Sequence, residues 1–517
     1  MEHREKVDRR RFLKGTVAAG AALALTGHSK RSQAANATGE RPNILFCLGD
    51  DWGWPACGAY GDKVVKTPTF DRVAREGVLF TNAHCASPSC TPSRGSILTG
   101  RAVHQLEEGG DLGGTLPRKF EVYPDLLEAA GYTVGLHGKG WGPGDFKVGG
   151  WTRNPAGPPF KSFEEFLKRA PKDKPFCFWY GSFDPHRPYE TGSGVKSGMK
   201  LEDVFVPPFL PDTAEVRSDI CDYYFESQRA DRDIGEMIGL LEASGRLDNT
   251  LVVISGDNGM PFPRCKANLY NWGTHQPLAV RWPARVKGGR VVQDFVVLTD
   301  LAPTFLQAAG LKPLPEMTGR SFLGLATGDN PIHRDKAFLE RERHANVRAG
   351  DKSYPCRAVR TDLYLYIHNL RPNLWPAGDP ERWKDVGPFG DCDGGPTKDV
   401  ILSHRDEEGM KKFFTLGFDK RPEEELYDLK KDPYELNNVA DNPSYADVRK
   451  TLRAEVDAWR AATGDPRARN PDDDRWDRYP YYGGKSAKKQ TGKQPAKGGK
   501  AKEGKSKGKA EEGISKK

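Results

Sequence analysis

The chain has 517 residues, 37% of them hydrophobic and 29% charged, with a formal net charge of +8. That length exceeds one ordinary hydrophobic core and predicts a large domain with a smaller one beside it. The charge is unevenly placed: residues 485–517 hold twelve lysines against three glutamates, a net +9, so the body before them is not basic and no specific nucleic-acid partner is expected.

In chain order, Arg9-Arg10-Arg11-Phe12-Leu13-Lys14 precedes a mild apolar run from Thr16 to Thr26 and an A-x-A site at Ala35-Asn36-Ala37. A twin arginine, a run too short to span a bilayer and a cleavage site predict a Tat signal peptide over 1–37, with the Tat export machinery as partner and a periplasmic or secreted product. No later segment approaches eighteen consecutive apolar residues, so no stable membrane span is expected. Nine cysteines follow, with no zinc-like C-x-x-C pair.

The body then repeats one pattern. Asn43–Leu48 is an apolar run ending in Gly49-Asp50-Asp51; Tyr132–His137 leads into Gly138-Lys139; Phe176–Tyr180 leads into Asp184-Pro185-His186-Arg187; Thr250–Ser255 leads into Gly256-Asp257-Asn258-Gly259. Continuous apolar runs predict strands buried on both faces of a mostly parallel sheet. Amphipathic stretches at Thr69–Gly77, Tyr123–Gly131 and Tyr224–Gly245 predict the covering helices. Such sheets carry their sites at the carboxyl ends of the strands, where the charged groups of all four runs fall. Asp50, Asp51, Asp257 and Asn258 offer hard oxygen ligands that suit Ca²⁺, with Mg²⁺ as the alternative and zinc disfavoured for want of His or Cys ligands. From about Cys356 the pattern changes to short alternating strands and a helix over Tyr445–Ala462. From Gly483 on, the Lys-, Gly-, Ala- and Ser-rich composition cannot bury a core and predicts a disordered tail over 483–517.

The most informative stretch is Cys90-Thr91-Pro92-Ser93-Arg94-Gly95-Ser96-Ile97-Leu98-Thr99-Gly100-Arg101. This C-x-P-S-R with a trailing L-T-G-R resembles the type I sulfatases, and the resemblance covers roughly Pro42 to Thr463. It implies an α/β, alkaline-phosphatase-like fold: a mostly parallel sheet sandwiched by helices over 40–350, then a small C-terminal α+β domain with an antiparallel sheet over 351–480. It also implies that a formylglycine-generating maturase oxidises Cys90 to formylglycine (3-oxoalanine), whose hydrate attacks sulfur and then expels sulfate. Arg94, one helical turn on, would orient that hydrate. Lys139 and Lys266 would hold sulfate oxygens, and His186 would serve as general acid. The four oxygen donors match the family's metal set, in which Ca²⁺ is the usual ion. Where most sulfatases read G-K-x-H, this chain has Gly138-Lys139-Gly140-Trp141, so His137 or His104 is the expected substitute for the missing base.

Four further stretches resemble the N-sulfoglucosamine sulfohydrolase (heparan sulfamidase)-like branch: Phe183–Arg187, Asp257–Pro263, Lys266–Tyr270 and Ser353–Arg357. The expected substrate is therefore a sulfated carbohydrate carrying an N-sulfate or a sulfate ester. Asp184 and Arg357 are the candidate sugar contacts, with Glu340, Arg341 and His344 as further ones. A formylglycine phosphonate or phosphodiester hydrolase, or a non-catalytic sulfated-glycan binder with unmatured Cys90, stands as the alternative.

Overall fold

In the computed structural model, residues 41–329, 334–382 and 387–483 are described. The expected signal peptide and almost all of the lysine tail lie outside them. Seven strands build the main sheet: β1 (Asn43–Gly49), β2 (Val78–His84), β3 (Thr133–Gly138), β4 (Phe176–Gly181), β5 (Thr250–Gly256), β6 (Leu278–Arg281) and β7 (Arg290–Val297). Their order is β3-β4-β1-β5-β6-β2-β7. β6 alone runs antiparallel to its neighbours β5 and β2; the other pairings are parallel.

β1 shows why these runs are continuously apolar. Leu45 and Cys47 pack into the core on one face, Ile44, Phe46 and Leu48 into the core on the other, and all five are buried. One face is covered by α1 (Pro68–Glu76) and the 30-residue helix Ala214–Ala243. The opposite face takes α2 (Cys90–Thr99), α3 (Tyr123–Ala129) and the helix Leu301–Ala308.

A second, antiparallel sheet has the order β11-β10-β9-β8, from β8 (Lys336–Arg341), β9 (Cys356–Thr361), β10 (Tyr364–Asn369) and β11 (Glu424–Asp428). The expected division at 350–351 falls inside this sheet, because β8 precedes it and pairs with β9 from Lys336 to Arg341. One face shares a core with the main sheet, where Leu339, Ala358 and Tyr427 join Ala86 and Phe295. The other is covered by the helix Ala446–Thr463 through Leu452 and Val456. All nine cysteines are buried free thiols.

Candidate active site

The carboxyl ends of β1, β3, β4 and β5 open on one side of the sheet, and α2 begins there. Asp50 and Asp51 follow β1; Asp51 sits at φ 65°, in the left-handed region, and its amide N–H donates to Asp257 Oδ1 at 2.9 Å. Tyr223 on the long helix donates to Asp51 O at 3.0 Å and so fixes the turn from behind. β3 ends at Gly138, φ 77°, where a Cβ would stand 2.1 Å from Gly181 O; only glycine allows the approach that brings Lys139 N to 2.8 Å from the same oxygen.

Cys90 is the first residue of α2, all ten residues of which are buried. Its Sγ lies 3.4 Å from Asp50 Oδ1 and 3.7 Å from Asp51 Oδ1. Burial and then Asp50 push the thiol well above its ordinary pKa despite Lys139, so an unmodified Cys90 stays a protonated thiol at neutral pH, a poor nucleophile. One turn later, Arg94 donates from Nε to Asp257 Oδ2 at 2.7 Å and from Nη1 to the carbonyls of Lys139 and Gly140 at 2.7 and 3.0 Å. Ser93 Oγ donates to Asp257 O at 2.6 Å, tying α2 to the end of β5.

Three cations, Arg94, Lys139 and Lys266, face four carboxylates, Asp50, Asp51, Asp257 and Asp393, in this centre. Lys139 Nζ donates to both oxygens of Asp50 at 2.6 and 2.7 Å. Lys266 Nζ bridges Asp51 Oδ2 at 2.8 Å and Asp393 Oδ2 at 2.9 Å. Burial alone would raise Asp50, but Lys139, then His186 and Arg94, hold it well below the usual carboxylate range. Asp51 goes the other way: burial carries it above that range against the pull of Lys266 and His186, and Asp50 adds repulsion. Burial would lower both lysines; Asp50 overrides it at Lys139, and Asp393 with Asp51 overrides it at Lys266, so both stay charged.

His186 lies on the loop after β4, with Nε2 3.7 Å from Asp51 Oδ2. Its Nδ1 stands 2.5 Å from Arg187 O, and since a carbonyl only accepts, Nδ1 carries the proton and Nε2 faces the centre. Arg187 is itself held by a bidentate pair to Asp219 at 2.8 and 2.7 Å, which fixes that loop.

The oxygen donors fit a hard divalent ion. Oxygens of Asp50, Asp51 and Asp257 lie within 4.8 Å of one another and of Cys90 Sγ. Asn258 Nδ2 donates to Asp51 Oδ1 at 2.8 Å and Asp257 Oδ1 at 2.6 Å, while its Oδ1 is buried with no hydrogen-bond partner among the described residues. Turning that amide over would aim Oδ1 at the two carboxylates, which is favourable only with a cation between them.

Other expected residues are placed elsewhere. Arg357 is fully buried, bound to Asp465 Oδ2 at 2.9 Å and Glu342 Oε1 at 2.6 Å; it is a structural charge hub of the small sheet rather than a sugar contact. Glu340 is likewise occupied, accepting from Val103 N at 2.7 Å and pairing with His104 Nδ1 at 2.8 Å. That pairing takes His104 away from the centre, against Trp459. His137 Nδ1 donates to Phe160 O at 3.0 Å and the ring stacks on Tyr180, so neither histidine stands in for the missing base. Arg341 Nη2 is held by Asp391 Oδ2 at 2.5 Å. His344 does reach the back of the centre, with Nδ1 2.8 Å from Ser89 Oγ, next to Cys90. Asp184 is buried and paired with Arg229 at 3.1 Å. Trp141 fills its position as a buried ring. Asp393 was not anticipated: it sits in a glycine-bearing loop with no apolar run before it, the one cue used to find the others.

A parallel α/β sheet whose strand ends gather an oxygen-rich cation site, buried Arg and Lys and a helix-borne cysteine defines a hydrolase centre for an anionic ester. A profile of the sulfatase family matches residues 42–148 and 159–311, and that of the C-terminal region of N-sulphoglucosamine sulphohydrolase matches 265–381. The chain belongs to the sulfatase family. It is 30% identical over 485 residues to human N-sulphoglucosamine sulphohydrolase, covering 83% of this chain and 92% of that one. An ulvan-active sulfatase of Formosa agariphila is 29% identical over 483 residues, covering 82% and 76%. Among solved structures, a protein in complex with its substrate D-glucosamine-2-N,6-O-disulfate superposes with a TM-score of 0.60 at 20% identity, over 84% of this chain and all of that one. The phosphonate monoester hydrolase of Agrobacterium radiobacter gives 0.60 at 18%, over 82% and 96%. These two likenesses establish the alkaline-phosphatase-like fold and no more.

Proposed function

We propose that the protein releases sulfate from a terminal sulfated amino sugar, N-sulfoglucosamine first, using a formylglycine made from Cys90 and a Ca²⁺ held by Asp50, Asp51, Asp257 and Asn258. The observation that carries the substrate is the match of residues 265–381 to the N-sulphoglucosamine sulphohydrolase C-terminal region, a stretch that holds both Lys266 and His344. The similarity to an ulvan-active sulfatase supports a second reading, an O-sulfated polysaccharide. The maturase and the Tat machinery are the proposed partners, and the periplasm or exterior the proposed location.

When bound, the metal neutralises the sulfate's charge, and the hydrated aldehyde at position 90 supplies the hydroxyl nucleophile. The chain's own groups do the rest. Arg94, anchored on Asp257 and two carbonyls, is a fixed guanidinium beside the nucleophile. Lys139, held on Asp50, and Lys266, held on Asp51, give the sulfate oxygens a preorganised positive field. His186, oriented by Arg187 O, presents Nε2 to the departing atom and donates its proton there in the imidazolium form. Measuring sulfate release from N-sulfoglucosamine, O-sulfated glucosamine, an aryl sulfate and a phosphodiester tests this. Turnover of O-sulfates without N-sulfoglucosamine reverses the substrate order, and phosphodiester hydrolysis alone overturns the reading.

A further inference from the structure

Exposure within the centre has a direction. Arg94 and Asp257 side chains are at 0%, Lys266 at 5%, Asp393 at 27% and His186 at 35%. A sulfate seated against the buried groups must therefore project the rest of its sugar past Lys266, His186 and Asp393, and the atom that leaves sulfur lies among them.

Asp393 is held there by construction. Its neighbour Asp391 is locked by Arg348 Nη2 at 2.7 Å and by Ala345 N at 2.9 Å. Lys398 Nζ donates to Cys392 O at 2.8 Å and closes the loop from the other side. The Asp393 carboxylate, so placed, takes Lys266 Nζ at 2.9 Å, and one of its oxygens lies within 4.8 Å of an Asp51 oxygen and of a His186 ring nitrogen. Lys266 thus stands between two carboxylates instead of collapsing onto Asp51.

On the sulfatase reading above, we propose that Asp393 is a positioning residue that holds the Lys266 ammonium and the His186 imidazolium against the departing atom of the substrate. As the S–O or S–N bond breaks, its electron pair passes to the departing oxygen or nitrogen, which takes the His186 Nε2 proton, while the sulfuryl group passes to the hydroxyl oxygen at position 90, whose own proton goes to the Asp50 or Asp51 carboxylate beside it. Lys266 stabilises the charge on that atom until the proton arrives, and Asp393 sets where Lys266 stands. A sugar alcohol or amine needs this assistance; a nitrophenolate leaves without it.

The test compares mature, metal-loaded wild type with Asp393→Asn and Asp393→Glu on sulfated glucosamine and on 4-nitrophenyl sulfate. Asp393→Asn should lower kcat/KM on the sugar by about 100-fold but on the aryl sulfate, where Lys266 still faces the sulfate oxygens from Asp51, by about tenfold or less, with partial recovery in Asp393→Glu. Equal losses on both substrates would mean a merely structural residue, and no loss on either would mean no role; each overturns the proposal. If wild type acts on O-sulfated and not N-sulfated glucosamine, the substrate order above fails, while the Asp393 comparison is read on the O-sulfated sugar.

Discussion

Arg94 Nε lies 2.7 Å from Asp257 Oδ2, with both side chains wholly buried. The other oxygen of Asp257 accepts from Asp51 N and Asn258 Nδ2, so one carboxylate anchors the guanidinium beside the nucleophile and faces the cation site. Removing Asp257 would leave the buried Arg94 guanidinium with one longer ion pair, Nη2 to Asp50 Oδ1 at 3.5 Å, and loss of metal would be confounded with loss of fold. Asn258 has no such second duty.

Asn258→Ala is therefore the clean test of the metal. Saturating the chelated wild type with Ca²⁺ at a hundred times Kd should stabilise it by about 2.7 kcal/mol, and Asn258→Ala should lose most of that calcium-dependent rise in Tm. Elemental analysis should find calcium; stoichiometric zinc would contradict an all-oxygen site.

The residue at position 90 should weigh about 18 Da less than cysteine after co-expression with a maturase, since an aldehyde oxygen replaces SH and H. Cys90→Ala should abolish turnover and leave Tm nearly unchanged. Full activity from a protein whose Cys90 is unmodified by peptide mass spectrometry would refute the formylglycine mechanism.

Arg357→Met should destabilise the protein by about 1.5–3 kcal/mol, because Asp465 and Glu342 would each lose a buried charged partner while Arg460 and Arg467 still hold them. The folded fraction should keep its KM, which distinguishes a structural hub from a sugar contact in a urea titration run beside steady-state kinetics.

His84, the last residue of β2, and His275 stack with ring centroids 5.0 Å apart. Burial lowers both, with each other's charge adding at His84, and His275 falls to about 3. Depressed bases contribute stability that is complete above the unfolded pKa of about 6.5 and is lost as pH falls toward the folded value, at about 1.4 kcal/mol per unit and group. Glu435 opposes this: burial raises it to about 7, so its contribution is present at low pH and lost as pH rises through 7. Other buried acids with raised pKa, Asp111 and Asp231 among them, act as Glu435 does, so the histidine contribution is read as a difference: from pH 7 to pH 5 the Tm of wild type should fall relative to that of His275→Gln. An unchanged slope would count against the buried pair.

Much of the site was legible because four strands end in the residues that work. The runs before Asp50, Lys139, His186 and Asp257 are apolar on both faces, and in a parallel sheet such runs deliver their last residues to one edge. β6 escaped notice because it is only four residues, too short to carry a period, and it runs antiparallel. Arg357 was misread for a different reason: its partner Asp465 lies 108 residues away, and a charged residue on a short strand reads as exposed until the long-range pairing is known. His104 is similar, since Glu340, 236 residues on, claims it. Asp393 has only tertiary neighbours to announce it.

The burial of α2 sets an order of events in the life of the chain. Cys90 is 1% exposed, and every residue of its helix is buried. On the proposed formylglycine reading, no protein-sized catalyst could close around that thiol once the helix is seated, so the encounter with a maturase would belong to the nascent or still-unfolded polypeptide. Folding would then seal whatever residue 90 had become. Chains that folded before that encounter would be excluded for good, and a purified preparation would be a fixed mixture whose active fraction was decided during synthesis.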